Sequence, residues 1–147
     1  MQTLKIKNLY HTYGIVEVLN NISLSVQRGE TLALVGPSGC GKSTLLHIIA
    51  GLLTQSEGRI EQPFAQLACM FQSPRLLPWK NALDNIALGL KARRIGKQQR
   101  QQQAGELARQ LGLSADDLLK YPHELSGGMQ SRVALARALL VEPELLL

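Results

Sequence analysis

The chain has 147 residues, of which 45% are hydrophobic and 18% are charged. This length suits one domain, and the apolar fraction excludes an intrinsically disordered chain. The net charge of +5 is modest, and the sequence contains neither a recognisable secretory signal peptide nor an apolar run long enough to span a bilayer.

The basic surplus has a local origin. The run KARRIGKQQR (residues 91–100) holds five basic residues and no acidic one, in a chain with 16 basic and 11 acidic residues. A nucleic-acid patch is one interpretation of such a run. Because no aromatic side chain is interleaved for base stacking, we expect a solvated loop and helix start instead, with no nucleic-acid partner.

The first part of the chain is predicted to form strands. Leu4, Ile6 and Leu9 indicate a half-buried strand, and residues 22–26 alternate between apolar and polar side chains. A turn with the sequence RGE follows. Residues 31–35 (TLALV), which are apolar except for Thr31, then predict a strand that is buried on both faces.

A glycine-rich loop comes next, with the sequence GPSGCGKS (residues 36–43), and a helix is predicted from Lys42 to Leu53. The loop matches the phosphate-loop pattern G-x-x-x-x-G-K-[ST] at every fixed position. Glycine lets backbone N–H groups approach a polyphosphate closely, and the helix directs its positive end at the phosphates. Lys42 is expected to reach the β- and γ-phosphates, and Ser43 to place its hydroxyl on Mg²⁺. The expected nucleotide contacts in this segment are Gly36, Pro37, Ser38, Gly39, Cys40, Gly41, Lys42, Ser43 and Thr44.

The remaining chain is predicted to be mostly helical. Residues 67–71 (LACMF) indicate another buried strand, and two prolines make the segment up to Trp79 a structured loop. Helices are predicted over residues 82–90, 98–111 and 129–140, and Gly112 is the expected C-terminal cap of the helix at residues 98–111. The last four residues resemble the start of a buried strand.

A second motif narrows the assignment. LSGGMQ (residues 125–130), followed by RVALARAL (residues 132–139), is similar to the signature of ABC ATPases and the helix that it opens. Ser126 can cap that helix, and Gly127 and Gly128 leave N–H groups open to an anion. With the phosphate loop, this motif identifies the chain as a member of the ABC ATPase family.

The resemblance implies an α/β fold, that of a P-loop NTPase of the ABC ATPase type. The expected parts of this single domain, which spans residues 1–147, are a β-rich ATP-binding core (residues 1–81) and a helical subdomain with the signature (residues 82–140). Residues 141–147 would begin the Walker B strand, beside the strand at residues 31–35, so the fold is expected to be incomplete at its C-terminus.

The resemblance also assigns further site residues and the cofactors ATP and Mg²⁺. Gln72 lies where the family carries a glutamine that contacts Mg²⁺ and the attacking water, which makes it a catalytic residue together with Lys42. Tyr13 matches the aromatic residue that stacks on adenine, and Tyr10 is the alternative. Ser126, Gly127 and Gly128 would contact the nucleotide of a second ATP-binding subunit, because the family forms head-to-tail dimers.

The segments QSPRLLPW (residues 72–79) and NIALGL (residues 85–90) most resemble importers of the nitrate, sulfonate, taurine and bicarbonate group. In that group the ATPase binds transmembrane permease subunits and lies on the cytoplasmic face of the plasma membrane. The apolar residues Leu76, Leu77 and Trp79 are expected to form a rigid exposed surface for a short permease helix.

The sequence departs from the family in its carboxylates. The family continues beyond Leu147 with an Asp that supports Mg²⁺ and a Glu that acts on water, so we expect residues 1–147 alone to show negligible turnover and poor stability. His11, His47 and His123 do not substitute and are interpreted as structural or surface residues. Cys40 and Cys69 lack metal-ligand spacing and indicate reduced thiols.

Two alternatives remain beside the importer ATPase. An ABC protein of DNA repair or translation is one, although repair members carry a long coiled coil before the signature and no heptad insertion occurs here. The other is a nucleotide-binding or interaction module without its own ATPase activity.

Overall fold

The computed structural model describes residues 2–147, which divide into two compact units. The first unit comprises residues up to Leu67 together with Leu147, and the second comprises residues 68–146. None of the described helices has the length and apolar character needed to cross a bilayer.

The first unit is built on an antiparallel sheet. Its strands are β1 (Thr3–Tyr13), β2 (Val16–Gln27) and β3 (Glu57–Glu61), in the order β2-β1-β3. Strand β3 was not predicted. The buried apolar side chains of the first two strands, which confirm the predicted half-buried pattern, are Leu4, Ile6, Leu9, Leu19 and Val26.

A β-bulge explains why the apolar pattern of β1 shifts from even to odd positions between Ile6 and Leu9. Asn8 and Asn21 both adopt a left-handed conformation there, with φ of 47° and 51°. The Asn8 side-chain amide donates to Asn21 Oδ1 at 2.7 Å, and the Asn8 backbone N–H donates to Ser23 Oγ at 2.9 Å. Asparagine tolerates this backbone conformation, so the pair fixes the bulge and lets Leu9 stay buried.

The predicted strand at residues 31–35 is wrong. The segment forms no strand, and Leu32 and Val35 are 46% and 93% exposed. A strand buried on both faces needs hydrogen-bonded neighbours at its edges, and no described strand pairs with this segment. The expected neighbour, β5 (Leu145–Leu146), pairs instead with β4 (Leu67–Ala68). Strand β4 is shorter than predicted, because it covers only the start of the strand expected at residues 67–71.

Helix α1 (Lys42–Ile49) begins where predicted and ends four residues earlier than expected. Gly51 has φ of 73°, and its N–H donates to the Ile48 carbonyl at 3.0 Å, while the Leu52 N–H donates to the His47 carbonyl at 2.8 Å. These contacts close the helix in the manner of a glycine cap.

The second unit contains five helices among its described residues, and they surround an alanine-rich core. The predicted helix at residues 82–90 is split at Ala87, where ψ of −3° departs from helical geometry. Gly112 caps α4 as predicted, with φ of 79°. The helices are α2 (Ala82–Ile86), α3 (Leu88–Ala92), α4 (Lys97–Gln110), α5 (Ala115–Leu119) and α6 (Gly127–Leu139), with a 3₁₀ turn at Pro122–Glu124.

Candidate phosphate loop and signature

The glycine-rich loop lies in the first unit and leads directly into α1. Gly39 and Gly41 have φ of 83° and 94°, which side-chain-bearing residues rarely adopt. A Cβ at Gly41 would lie 2.8 Å from Leu19 Cδ2 and 2.9 Å from the Val18 carbonyl oxygen. The backbone at Gly41 thus packs against β2 at a distance that only glycine permits.

Gly36 is constrained from inside the loop. A Cβ there would lie 2.8 Å from Cys40 Sγ, and the Cys40 N–H donates to the Pro37 carbonyl at 3.4 Å. The loop therefore closes on itself as a small cradle, and glycine at position 36 keeps its interior open.

The Lys42 side chain folds back across this cradle. Its Nζ donates to the carbonyl oxygens of Gly36 and Pro37 at 2.7 and 2.8 Å, and lies 3.4 Å from Cys40 Sγ. The ammonium group thus lies within the loop, next to the N-terminus of α1. Helix geometry leaves the first N–H groups of α1 without intrahelical partners, so a cation and backbone donors converge where an anion would be held. Ser43 is exposed at the same helix end, which suits a hydroxyl ligand for a metal ion.

Tyr13 ends β1 and is 50% exposed, whereas Tyr10 is half-buried in the same strand. The exposed ring suits stacking on an adenine better. Tyr13 packs edge-to-face on His11, with the ring centroids 4.7 Å apart. His11 is buried, and neither ring nitrogen has a hydrogen-bond partner among the described residues. It is a structural residue beneath the aromatic ring, in line with the sequence interpretation.

The signature segment belongs to the second unit and opens α6. Ser126 Oγ accepts from the Met129 N–H at 3.3 Å, which confirms the predicted N-cap. The Gln130 amide donates to the carbonyls of Pro122 and Leu125 at 2.8 and 3.3 Å, and this fixes the approach to the helix. Gly127 and Gly128 are exposed, and a Cβ at either would meet nothing within 4 Å. Their small size is therefore not required by packing within this chain.

Gln72 is exposed at the start of the proline-containing loop of the second unit. Behind that loop lie two residues that sequence reasoning missed, Asn85 and Arg137. Asn85 is fully buried and holds the loop backbone through its side-chain amide, and Arg137 donates to two loop carbonyls. The signal available in the sequence was a polar residue within each of two apolar helical segments, because polar and charged residues are seldom buried.

The expectation of an exposed apolar surface at residues 76–79 is only partly correct. Trp79 is 71% exposed, but Leu76 and Leu77 are half-buried and Leu76 packs against the helical core. Both cysteines are free thiols. Burial raises the pKa of the Cys69 thiol, while Cys40 is exposed in the phosphate loop.

Comparison with known proteins agrees with both motifs. The family model described as ABC transporter matches residues 19–147. The taurine import ATP-binding protein TauB of Escherichia coli O157:H7 is 44% identical over 98% of this chain and 59% of its own length. The TauB protein of Pseudomonas aeruginosa (strain UCBPP-PA14) is 45% identical over 88% of this chain and 52% of its own length. The chain thus spans between half and three fifths of these relatives.

Solved structures of ATP-binding cassettes share the fold. The dimeric post-hydrolysis structure of the cassette MJ0796 bound to ADP and Pi superposes with a TM-score of 0.89 at 31% identity, covering 97% of this chain and 72% of that one. A second dimeric structure of MJ0796, described as a bacterial ABC transporter cassette, gives a TM-score of 0.88 at 32% identity. The fold class is therefore confirmed, and the chain belongs to the ABC transporter family of ATP-binding proteins.

Proposed function

We propose that the protein carrying this chain binds and hydrolyses ATP to energise solute import by an ABC transporter. The observation that carries this proposal is the phosphate loop, in which the Lys42 ammonium lies 2.7 and 2.8 Å from two loop carbonyls at the N-terminus of α1. A polyphosphate entering the cradle would replace those carbonyls as the partner of Lys42. Phosphate oxygens are stronger acceptors than carbonyls for an ammonium group.

The residues present fit a magnesium nucleotide. A Cβ at Gly36 would lie 2.8 Å from Cys40 Sγ inside the cradle, so glycine there leaves room for a polyanion. Ser43 would be a ligand of Mg²⁺, and Tyr13 would stack on adenine. ATP would supply the phosphoanhydride bond, and Mg²⁺ would neutralise part of the negative charge of the phosphates. Lys42 and the α1 N-terminus would orient the phosphates, and Gln72 would position the attacking water.

The importer assignment rests on the relatives. Two are named as taurine import proteins, and the similarity extends over 98% of this chain in one of them. We infer an importer of the nitrate, sulfonate, taurine and bicarbonate group, working on the cytoplasmic face of the plasma membrane. Its partners would be transmembrane permease subunits and a second ATP-binding subunit. Ser126, Gly127 and Gly128 would face the nucleotide of that second subunit.

Calorimetric titration of the purified protein with Mg-ATP tests this proposal. Lys42→Ala removes a charge-assisted contact worth about 1.5–3 kcal/mol, so ATP affinity should fall roughly ten- to a hundredfold. Lys7→Ala is the matched control, because Lys7 is an exposed lysine of β1 in the same unit. Equal ATP affinity in the parent and Lys42→Ala would refute the role of the loop.

A further inference from the structure

The loop that starts at Gln72 is held from behind by an arginine of the signature helix. Arg137 lies in the last turn of α6 and is half-buried. Its Nη2 donates to the Pro74 carbonyl at 2.8 Å, and its Nη1 donates to the Arg75 carbonyl at 3.0 Å. One guanidinium group thus spans two consecutive carbonyls, 62 and 63 residues away in sequence.

Burying the Arg137 guanidinium costs free energy unless its N–H donors find hydrogen-bond acceptors. Burial lowers the pKa of the Arg137 guanidinium, which records the loss of water around the charge. The neighbours of Arg137 in the helix, Ala136 and Ala138, are buried apolar residues. Two carbonyl acceptors offset the lost hydration, and the planar fork of arginine suits two adjacent acceptors better than the single ammonium of lysine does.

The loop itself is shaped around that contact. Arg75 has φ of 46°, a conformation unfavourable for a residue with a side chain, and its own guanidinium lies 5.0 Å from the centroid of the Phe71 ring. A strained residue persists only where its surroundings fix it. The two hydrogen bonds from Arg137 flank this residue and so supply part of that constraint.

A second buried side chain secures the far end of the loop. Asn85 Oδ1 accepts from the Leu77 N–H at 2.8 Å, and its Nδ2 donates to the carbonyls of Leu77, Lys80 and Asn81 at 3.2, 3.0 and 3.0 Å. The backbone from Pro74 to Asn81 is therefore fastened to two helices, α2 and α6. Trp79 stands at the outer tip of this fastened segment and is 71% exposed.

We propose that Arg137 is a positioning residue that locks the loop from Gln72 to Trp79 to the helix opened by the signature, so that a displacement of that helix is transmitted to Trp79. The proposal has two parts, the anchoring of the loop and the transmission of movement to Trp79. The transmitted part rests on the proposed function, because it takes the signature and Gln72 as nucleotide contacts. The anchoring part does not, because it needs only the contacts within the second unit.

The anchoring part is tested without nucleotide. Trp79 is the single tryptophan of the chain, so its fluorescence anisotropy reports on this loop alone. Arg137→Gln should lower the anisotropy and speed amide hydrogen exchange of the peptide covering residues 75–79 by on the order of tenfold. Arg132→Gln is the matched control, since Arg132 lies on the same helix and donates to the Gly112 carbonyl instead; it should behave as the parent.

Arg137→Lys guards against a variant that fails to fold, because it keeps the charge and most of the aliphatic stem. Lysine cannot reproduce the fork, so this variant should keep the helical circular dichroism of the parent but show the faster exchange. Parent-like anisotropy and exchange in both Arg137 variants would overturn the anchor. Parent-like behaviour of Arg137→Lys alone would overturn the forked contact as its basis.

The transmitted part is tested with Mg-AMP-PNP, a non-hydrolysable analogue. In the parent and in Arg132→Gln, saturation should change the Trp79 anisotropy. In Arg137→Gln the change should be lost while the affinity measured by calorimetry stays within about twofold of the parent. If the Trp79 anisotropy of Arg137→Gln changes on saturation as much as that of the parent, transmission through Arg137 is overturned. If the parent itself binds no analogue, the proposed function fails, and the nucleotide-free exchange data still decide the anchor.

Discussion

At the scale of single residues, the glycines of the two motifs differ in what surrounds them. The phosphate-loop glycine Gly41 has φ of 94°, and a Cβ there would clash with Leu19 and Val18 of β2, whereas a Cβ at the signature glycine Gly128 would meet nothing within 4 Å. The first glycine is thus required by the fold of this chain, and the second is free to serve a partner molecule.

Alanine substitution should separate these two roles. Gly41→Ala introduces a clash and a strained φ, which costs about 1–3 kcal/mol, so its melting temperature should fall. Gly128→Ala places alanine in the first turn of a helix, which is favourable by up to about 1 kcal/mol. We expect Gly128→Ala to melt at or above the parent temperature and yet to lose ATP turnover when both are measured on the protein that carries this chain. A Gly128→Ala protein with parent turnover would contradict the assigned role of the signature.

The motif residues could be found from spacing because each motif is contiguous. The residues of the loop at 36–43 carry their chemistry within one short segment of chain, and the cap at Ser126 follows from one local hydrogen bond. Arg137 could not be found in this way, because its acceptors are backbone carbonyls 62 and 63 residues distant. Backbone acceptors leave no mark in the sequence.

At the scale of elements, the C-terminal cap of α4 was predicted well and the strand buried on both faces was not. Gly112 ends α4 as expected, with the Leu113 N–H donating to the Ala108 carbonyl at 3.0 Å, because such a cap is a local signal. The strand at residues 31–35 was mispredicted because an apolar run records a preference for burial, while strand pairing depends on distant neighbours. The sequence therefore shows that a segment is apolar better than it shows whether the segment pairs as a strand.

Helix α5 offers a prediction about pH. The Asp117 carboxylate accepts from Lys120 Nζ at 2.7 Å and from the Ser114 N–H at 3.0 Å, while Ser114 Oγ accepts from the Asp117 N–H. The hydrogen bonds to Lys120 first, and then to Ser114, lower the pKa of Asp117 from 3.8 to about 2. The folded-state pKa is depressed, so the charged carboxylate stabilises the fold above the unfolded value and this contribution is lost as the pH falls towards 2.

Asp117→Asn should therefore melt below the parent at pH 7, and the gap should shrink as the pH falls from about 4 towards about 2. Thermal melts followed by circular dichroism at several pH values give this difference directly. Asp116→Asn is the control, because Asp116 is the exposed neighbouring acid in the same helical turn. A gap of the same size at neutral pH and at a pH of about 2.5 would show that the Asp117 carboxylate does not titrate as described.

At the scale of the whole molecule, the exposed Trp79 gives a test of the permease partner. Trp79→Cys, in a background where Cys40 and Cys69 are replaced by serine, should crosslink to a transmembrane subunit in the assembled transporter, because an apolar exposed tip suits a helix of the partner. Leu119→Cys is the control, since Leu119 is 66% exposed on α5. Crosslinking from Leu119→Cys and none from Trp79→Cys would place the permease elsewhere.

Most of the candidate site residues could be predicted from two motifs, but the arrangement of two subunits could not be predicted from one chain. A Cβ at either signature glycine, Gly127 or Gly128, would touch nothing within 4 Å, which is expected if their ligand belongs to another subunit. In a head-to-tail dimer, the phosphate loop of one protomer and the signature of the other share each ATP. The two lesions Lys42→Ala and Gly128→Ala should therefore complement each other when protomers mix.

Phosphate release by an equimolar mixture of these two variants, made in the protein that carries this chain and not in residues 1–147 alone, is the most direct test. A mixed dimer carries both lesions in one site and leaves the other site intact, so two nearly inactive variants should regain activity on mixing. Random pairing makes about half of the dimers mixed, each with one intact site, so the mixture should recover up to about a quarter of the parent rate. A mixture that remains as inactive as either variant alone would contradict the proposal that the signature of one subunit serves the nucleotide of the other.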